Sequence, residues 1–191
     1  MGTRHLISVH TNGEYKVAKY CQWDGYPSGN GLSILYFLRN CDMDEFKAAI
    51  AECTFLTQAD IDEMNKCIEQ KRNENPGYIW SRDYPELSRD TSAEILEFIC
   101  DGGVRKTIDD LKFAADSLFC EWAYVIDLDK GTFEVFEGFN KDPLAEEERF
   151  YPMEEFAKGG YHPVKFIKSF DLDNLPTEKE FLEHFKADDE E

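Results

Sequence analysis

Trp122-Ala123-Tyr124-Val125-Ile126-Asp127-Leu128, then Asp129-Lys130-Gly131, then Thr132-Phe133-Glu134-Val135-Phe136 is the stretch that decides the fold class. Two runs rich in β-branched and aromatic residues flank a short turn that ends in glycine, so residues 121–137 read as a β-hairpin. A second hairpin opens the chain. Leu6-Ile7-Ser8-Val9-His10 and Tyr15 to Cys21 flank Asn12-Gly13, a pair in which both turn positions tolerate positive φ. An isolated hairpin is marginal in water, so residues 4–21 and 121–137 are expected to share one antiparallel sheet. Pro163 to Leu172, with Val164, Phe166, Ile167 and Phe170, supplies a further strand.

Helical periodicity fills the space between the hairpins. Leu32, Leu35, Tyr36 and Leu38 predict a helix from Gly31 to about Asn40. Phe46, Ala49 and Ile50 mark a second helix after Asp42. Thr57-Gln58-Ala59-Asp60 resembles a capping box ahead of Ile61, Met64, Cys67 and Ile68, and Asn75-Pro76-Gly77 stops that helix. Thr91-Ser92-Ala93-Glu94 predicts a capped helix bearing Ile95, Leu96, Phe98 and Ile99, ended by Asp101-Gly102-Gly103. Thr177-Glu178-Lys179-Glu180 starts a last helix with Phe181, Leu182 and Phe185. The expectation is a single α+β domain over residues 1–186, with helices packed on a sheet of two hairpins and one further strand. Residues 187–191, Ala-Asp-Asp-Glu-Glu, are expected to form a disordered acidic tail.

Charge narrows the function classes. Forty acids against 21 bases give −19 over 191 residues. Nucleic acid and anionic membranes attract positive fields, so direct binding to either is not expected. Residues 1–40 carry Arg4, Lys16, Lys19 and Arg39 against Glu14 and Asp24, a net of +2, so the rest of the chain carries −21. No apolar run reaches the ~18 residues of a membrane span. The six cysteines, at 21, 41, 53, 67, 100 and 120, stand without a signal peptide and read as reduced thiols of a cytoplasmic protein.

The least ordinary segment runs from Trp23 through Asp24, Gly25, Tyr26, Pro27, Ser28, Gly29 and Asn30 to Gly31. A glycine-rich turn before a helix can present backbone N–H groups to an anion. The competing reading is a tight connection in which Gly29 and Gly31 hold positive φ. Neither Gly-Lys-Ser/Thr nor G-x-G-x-x-G is present, and no cofactor is expected. Cys21, His5 and Asp24 would come together only if the first two strands pair; a packed thiol beside a satisfied histidine is the simpler reading. There is no C-x-x-C and no H-E-x-x-H. Asp127-x-Asp129-x-Gly131 looks like the start of a calcium loop, but the twelfth position is Gly138 where glutamate belongs, so a hairpin turn is preferred and no metal is expected. The remaining acids fall in bunches: Asp42, Asp44 and Glu45; Asp60, Asp62 and Glu63; Glu146, Glu147, Glu148, Glu154 and Glu155. Such bunches are either solvated faces or a surface for a basic groove.

Two resemblances accompany these readings. Thr3-Arg4-His5-Leu6-Ile7 with the run Gln22-Trp23-Asp24-Gly25-Tyr26-Pro27-Ser28-Gly29 resembles the opening of small uncharacterised acidic proteins of bacteria and their phages. Tyr124 to Asp129 resembles them less strongly. That likeness implies a prokaryotic or phage setting and no catalytic residue. The order of two strands, helices and two strands is similar to the N-terminal nucleophile hydrolases. Their chemistry needs a processed N-terminal Thr, Ser or Cys, whereas removal of Met1 leaves Gly2, with Thr3 one residue further in. Three functions are therefore expected, in this order. The first is a non-enzymatic inhibitor occupying a basic nucleic-acid-binding protein such as a nuclease through Glu146, Glu147, Glu148, Glu154 and Glu155. The second is a small amide hydrolase. The third is a nucleotide or signal-molecule binder using Trp23, Asp24, Tyr26, Ser28, Gly29 and Gly31.

Overall fold

Asn12 and Gly13 both take positive φ, 54° and 78°, and close the first hairpin as their types require. In the computed structural model, which describes residues 2–185, strands β1 (His5–Thr11) and β2 (Glu14–Cys21) pair antiparallel across that turn. Strands β5 (Trp122–Asp127) and β6 (Thr132–Glu137) form the second hairpin, and β7 (Lys165–Asp171) adds antiparallel to β6. The five strands make one sheet in the order β2-β1-β5-β6-β7, so residues 4–21 and 121–137 share a sheet. The sheet is mostly antiparallel, and its central pair is the exception: β1 and β5 run parallel. A parallel neighbour needs a long crossover, and the helices between the hairpins supply it.

Those helices are α1 (Leu32–Asn40), α2 (Met43–Ala51), α3 (Gln58–Glu74) and α4 (Glu94–Cys100), followed after the second sheet region by α5 (Glu178–Glu183). Two-residue strands β3 (Thr54–Phe55) and β4 (Lys106–Thr107) pair parallel beside them. The capping boxes Thr57/Asp60 and Thr177/Glu180 form with both reciprocal bonds. The one expected at Thr91 does not. Thr91 Oγ1 donates instead to the carbonyls of Pro85 and Ser88, Ser92 takes φ 52°, and α4 starts after Ala93 with no side-chain cap.

Both faces of the sheet are buried. Ile7, Val9, Val17, Tyr124, Ile126, Phe133 and Val135 pack against apolar residues of α1, α2, α4 and α5. Leu6, Ala123, Val125 and Phe136 pack on the other side against Ala114, Cys120, Leu144 and Phe150. That double covering explains why residues 123–126 read as an unbroken apolar run. The second face also buries ions. Asp127 and Glu134 are almost wholly covered and share Arg149, which reaches Asp127 and places Nε 2.6 Å from Glu134 Oε2. Arg149 therefore turns inward and does not offset the acids on either side of it in sequence. Among the described residues no helix is long and apolar enough to cross a membrane. The acidic segment 187–191 lies outside the described residues.

Candidate functional site

Gly29 and Gly31 do not have positive φ; in this segment the left-handed residue is Asp24, at 56°. Residues Pro27–Gly31 form one turn of π-helix that runs directly into α1. The expectation of two left-handed glycines is therefore replaced by one of close approach. A Cβ on Gly29 would lie 2.5 Å from Asp24 Cγ, and one on Gly31 would lie 3.1 Å from the Tyr124 hydroxyl. Four of the N–H groups that might face an anion are already used. Those of Gly29 and Gly31 bond the Tyr26 carbonyl, that of Asn30 bonds the Asp24 carbonyl, and that of Gly25 bonds the Thr3 carbonyl. Trp23 and Tyr26 remain about half exposed, with the Trp23 indole N–H on Asp90 at 2.7 Å. Ser28 is exposed as well.

His5 and Cys21 do meet, as register partners of the β1–β2 pair, and both are fully buried. Burial pushes the Cys21 thiol up to about 12 and holds the His5 imidazole down at about 4. A nucleophile needs the opposite, an accessible thiolate beside a base that can take its proton. Asp24 is exposed, and among the described residues no hydrogen bond joins it to either side chain. Thr3 is buried, with its carbonyl bound by Gly25.

The five acids after the second hairpin are not equivalent. Glu146, Glu147 and Glu155 are exposed. Glu148 accepts the Ala145 N–H at 2.7 Å and closes a local turn. Glu154 accepts the Leu144 N–H at 2.7 Å and also contacts His162 Nδ1 at 2.7 Å. Two of the five are thus committed to holding the segment together.

The best-formed concavity lies elsewhere. A cleft of about 690 Å³ opens between α1, the start of α2 and α4. Asp42, Glu45, Glu94, Glu97 and Asp101 line it, and among the described residues no lysine, arginine or histidine does. Asp42 caps α2 by accepting the Asp44 and Glu45 N–H groups at 3.0 Å. Glu45 lies in the first turn of α2, while Glu94 and Glu97 lie in that of α4. The positive ends of two helices thus favour four of the carboxylates that line the cleft. Cys41 and Cys100 line the same cleft. Burial, then the neighbouring Cys41 and the acids Asp101 and Glu45, raises the Cys100 thiol to about 11. Burial also raises that of Cys41.

Asn30 joins the glycine turn to this cleft. Its amide donates to the carbonyls of Trp23 and Asp24, and its oxygen accepts the Ala93 N–H at the head of α4. Sequence reading placed Asp42 and Glu45 in an acidic bunch but did not connect them with Glu94, Glu97 and Asp101, about fifty residues away. The usable signal was that Asp42 and Glu45, like Glu94 and Glu97, begin predicted helices. Comparison with family models, curated proteins and solved structures found no match to this chain.

Proposed function

We propose that this protein is an acidic interaction protein without catalysis of its own, which occupies a basic surface of a nucleic-acid-handling protein, in the manner of a phage inhibitor of a CRISPR or restriction nuclease. The observation that carries the reading is the cleft with five carboxylates and, among the described residues, no cation, in a chain of net charge −19. Carboxylates lining one cleft present a negative field to whatever enters it. A basic groove presents a field of the opposite sign, so association is favoured. The cleft admits the heads of lysine or arginine side chains, and its aromatic wall, Tyr36 and Phe37, suits a guanidinium by stacking. Glu146, Glu147 and Glu155 are exposed in the segment that packs on the opposite face of the sheet and form a separate acidic surface.

Neither alternative draws comparable support. The amide hydrolase needs an activated nucleophile, and the buried thiol of Cys21 is held neutral. The anion-binding turn needs free N–H groups, and those of Gly25, Gly29, Asn30 and Gly31 are bonded to carbonyls. The test is a pull-down and cleavage assay against a panel of CRISPR and restriction nucleases at low and high salt. Binding at low salt that weakens steeply as salt rises is expected, because exposed charges are screened within ~10 Å at 0.1 M. If no nuclease is bound or inhibited at low salt, the charge serves solubility alone and the proposal fails.

A further inference from the structure

At the end of the sheet opposite the glycine turn, three metal-ligating side chains converge. His10 follows the irregularity in the β1–β2 register, and the parallel pairing sets it beside Asp127 at the end of β5. Asp129 reaches in from the turn of the second hairpin. His10 Nδ1 lies 3.2 Å from Asp129 Oδ2 and 3.6 Å from Asp127 Oδ1. The ligand atoms of all three residues lie within 4.8 Å of one another.

Two features separate this group from an ordinary cluster of surface acids. The first is the histidine nitrogen. His10 Nδ1 is buried and has no hydrogen-bond partner among the described residues, so its contacts with the two carboxylates are not aligned as hydrogen bonds. A nitrogen placed between two carboxylates carries a proton of its own or faces a bound cation, since a bare lone pair there would be repelled. The second is rigidity. Asp127 Oδ1 accepts the Asp129 and Lys130 N–H groups at 3.0 and 2.9 Å. The two oxygens of Asp129 accept the Asn12 and Gly13 N–H groups at 2.7 and 2.9 Å. The Tyr15 ring meets the His10 ring edge-on at 5.1 Å. The donors are thus oriented by a surrounding layer of contacts before any cation arrives, as in built metal sites.

Charge and spacing agree with a divalent ion. Asp127 and Glu134 share one buried cation, Arg149, so together with Asp129 the three acids keep two negative charges apart from exposed Lys130, 3.9 Å from Glu134. Around tetrahedral zinc with bonds of ~2.0–2.2 Å, two ligand atoms sit roughly 3.3–3.5 Å apart, between the two separations seen here. We infer that His10, Asp127 and Asp129 form a binding site for a divalent first-row transition-metal ion. One imidazole and two carboxylates favour zinc(II) or its neighbours over calcium or magnesium, which take oxygen ligands. Exposed Asp129 leaves a solvent side at which water completes the coordination. The ion would clip the turn of the first hairpin to that of the second.

The test uses the full chain at neutral pH. Zinc is titrated in competition with a chromophoric chelator, while the four histidine rings are followed by NMR. The expected result is one equivalent of zinc, a shift of the His10 resonances, and a higher melting temperature. His10→Gln and Asp129→Asn should each weaken zinc binding at least tenfold, and calcium should bind more weakly than zinc. The ring shifts of the unaltered protein decide the matter even if a variant folds poorly. Absence of zinc binding, a shift confined to His162 or His184, undiminished binding in both variants, or tighter calcium binding would each overturn the inference.

Discussion

The side-chain oxygen of Asn30 accepts the backbone N–H of Ala93 at 3.0 Å, joining the glycine turn to the first turn of α4 across 63 residues of sequence. The same side chain donates to the carbonyls of Trp23 and Asp24 at 3.0 and 2.9 Å. Asn30→Ala leaves three backbone groups without these partners. A buried polar group left unsatisfied costs about 1–3 kcal/mol, so a loss of at least that size is expected in chemical denaturation. An unchanged midpoint would mean that the turn and α4 are held together by something else.

Gly29 and Gly31 should respond unequally to alanine. At Gly29 the new Cβ would lie 2.5 Å from Asp24 Cγ and 2.6 Å from the Asp24 carbonyl, whose backbone is already left-handed. At Gly31 the nearest atoms, the Tyr124 hydroxyl and Phe181 Cζ, lie 3.1 and 3.2 Å away and belong to buried side chains, so the approach is tight but looser than at Gly29. Gly29→Ala should therefore melt below Gly31→Ala, with Gly31→Ala itself losing roughly 1–3 kcal/mol. The reverse order would refute the close-approach account of this turn.

His5 gives the protein a defined acid sensitivity. Burial lowers its pKa from the ordinary 6.5 to about 4, outweighing a contact with the Thr3 backbone that acts the other way. The titratable groups facing it, Cys21 across the strand pair and Tyr124 with its ring 6.2 Å away, are themselves held neutral by burial. Between these two pKa values the unfolded chain binds a proton that the folded one does not. The stability associated with His5 is thus complete above pH 6.5 and is lost as pH falls towards 4. At ~1.4 kcal/mol per pKa unit the loss approaches roughly 3 kcal/mol. Denaturant titrations of the protein and of His5→Leu at a series of pH values check this. The His5→Leu profile should be flatter over that window, and parallel profiles would contradict the assignment.

The acids after the second hairpin should divide into two classes. Glu146→Gln, Glu147→Gln and Glu155→Gln together should leave thermal stability nearly unchanged, since exposed substitutions stay within about 0.5 kcal/mol each. Glu148→Ala with Glu154→Ala should destabilise, because the Ala145 and Leu144 N–H groups lose their acceptors and His162 loses its partner. Equal melting of the two variants would show that these bonds do not hold the segment.

Local patterns were legible where local physics decides them. Asn12-Gly13, Thr57/Asp60 and Thr177/Glu180 act in the structure as their residue types require. The parallel pairing of β1 with β5 was not legible, since each hairpin satisfies its own pattern whichever way the two are joined. Thr91 misled because Pro85 and Ser88 offer carbonyls that compete with the helix start for its hydroxyl. Gly29 misled because close approach and positive φ both select glycine, and sequence does not separate them. The acidic cleft needs Asp42 and Glu45 brought against Glu94, Glu97 and Asp101, a tertiary event with no local mark. His10 and Asp127 become neighbours only through that same parallel pair.

The central claim is that the cleft carboxylates bind a basic partner, and it is tested most directly by neutralising them without unfolding the chain. Asp42 caps α2 and is left in place, while Glu45→Gln, Glu94→Gln, Glu97→Gln and Asp101→Asn are combined. Affinity for the nucleases of the panel is then measured by calorimetry at low and high salt, beside the unaltered protein and the Glu146/Glu147/Glu155 variant. The expected result is a loss of at least tenfold at low salt with a shallower salt dependence, larger than that of the Glu146/Glu147/Glu155 variant. Undiminished affinity and an unchanged salt dependence in the cleft variant would contradict the account.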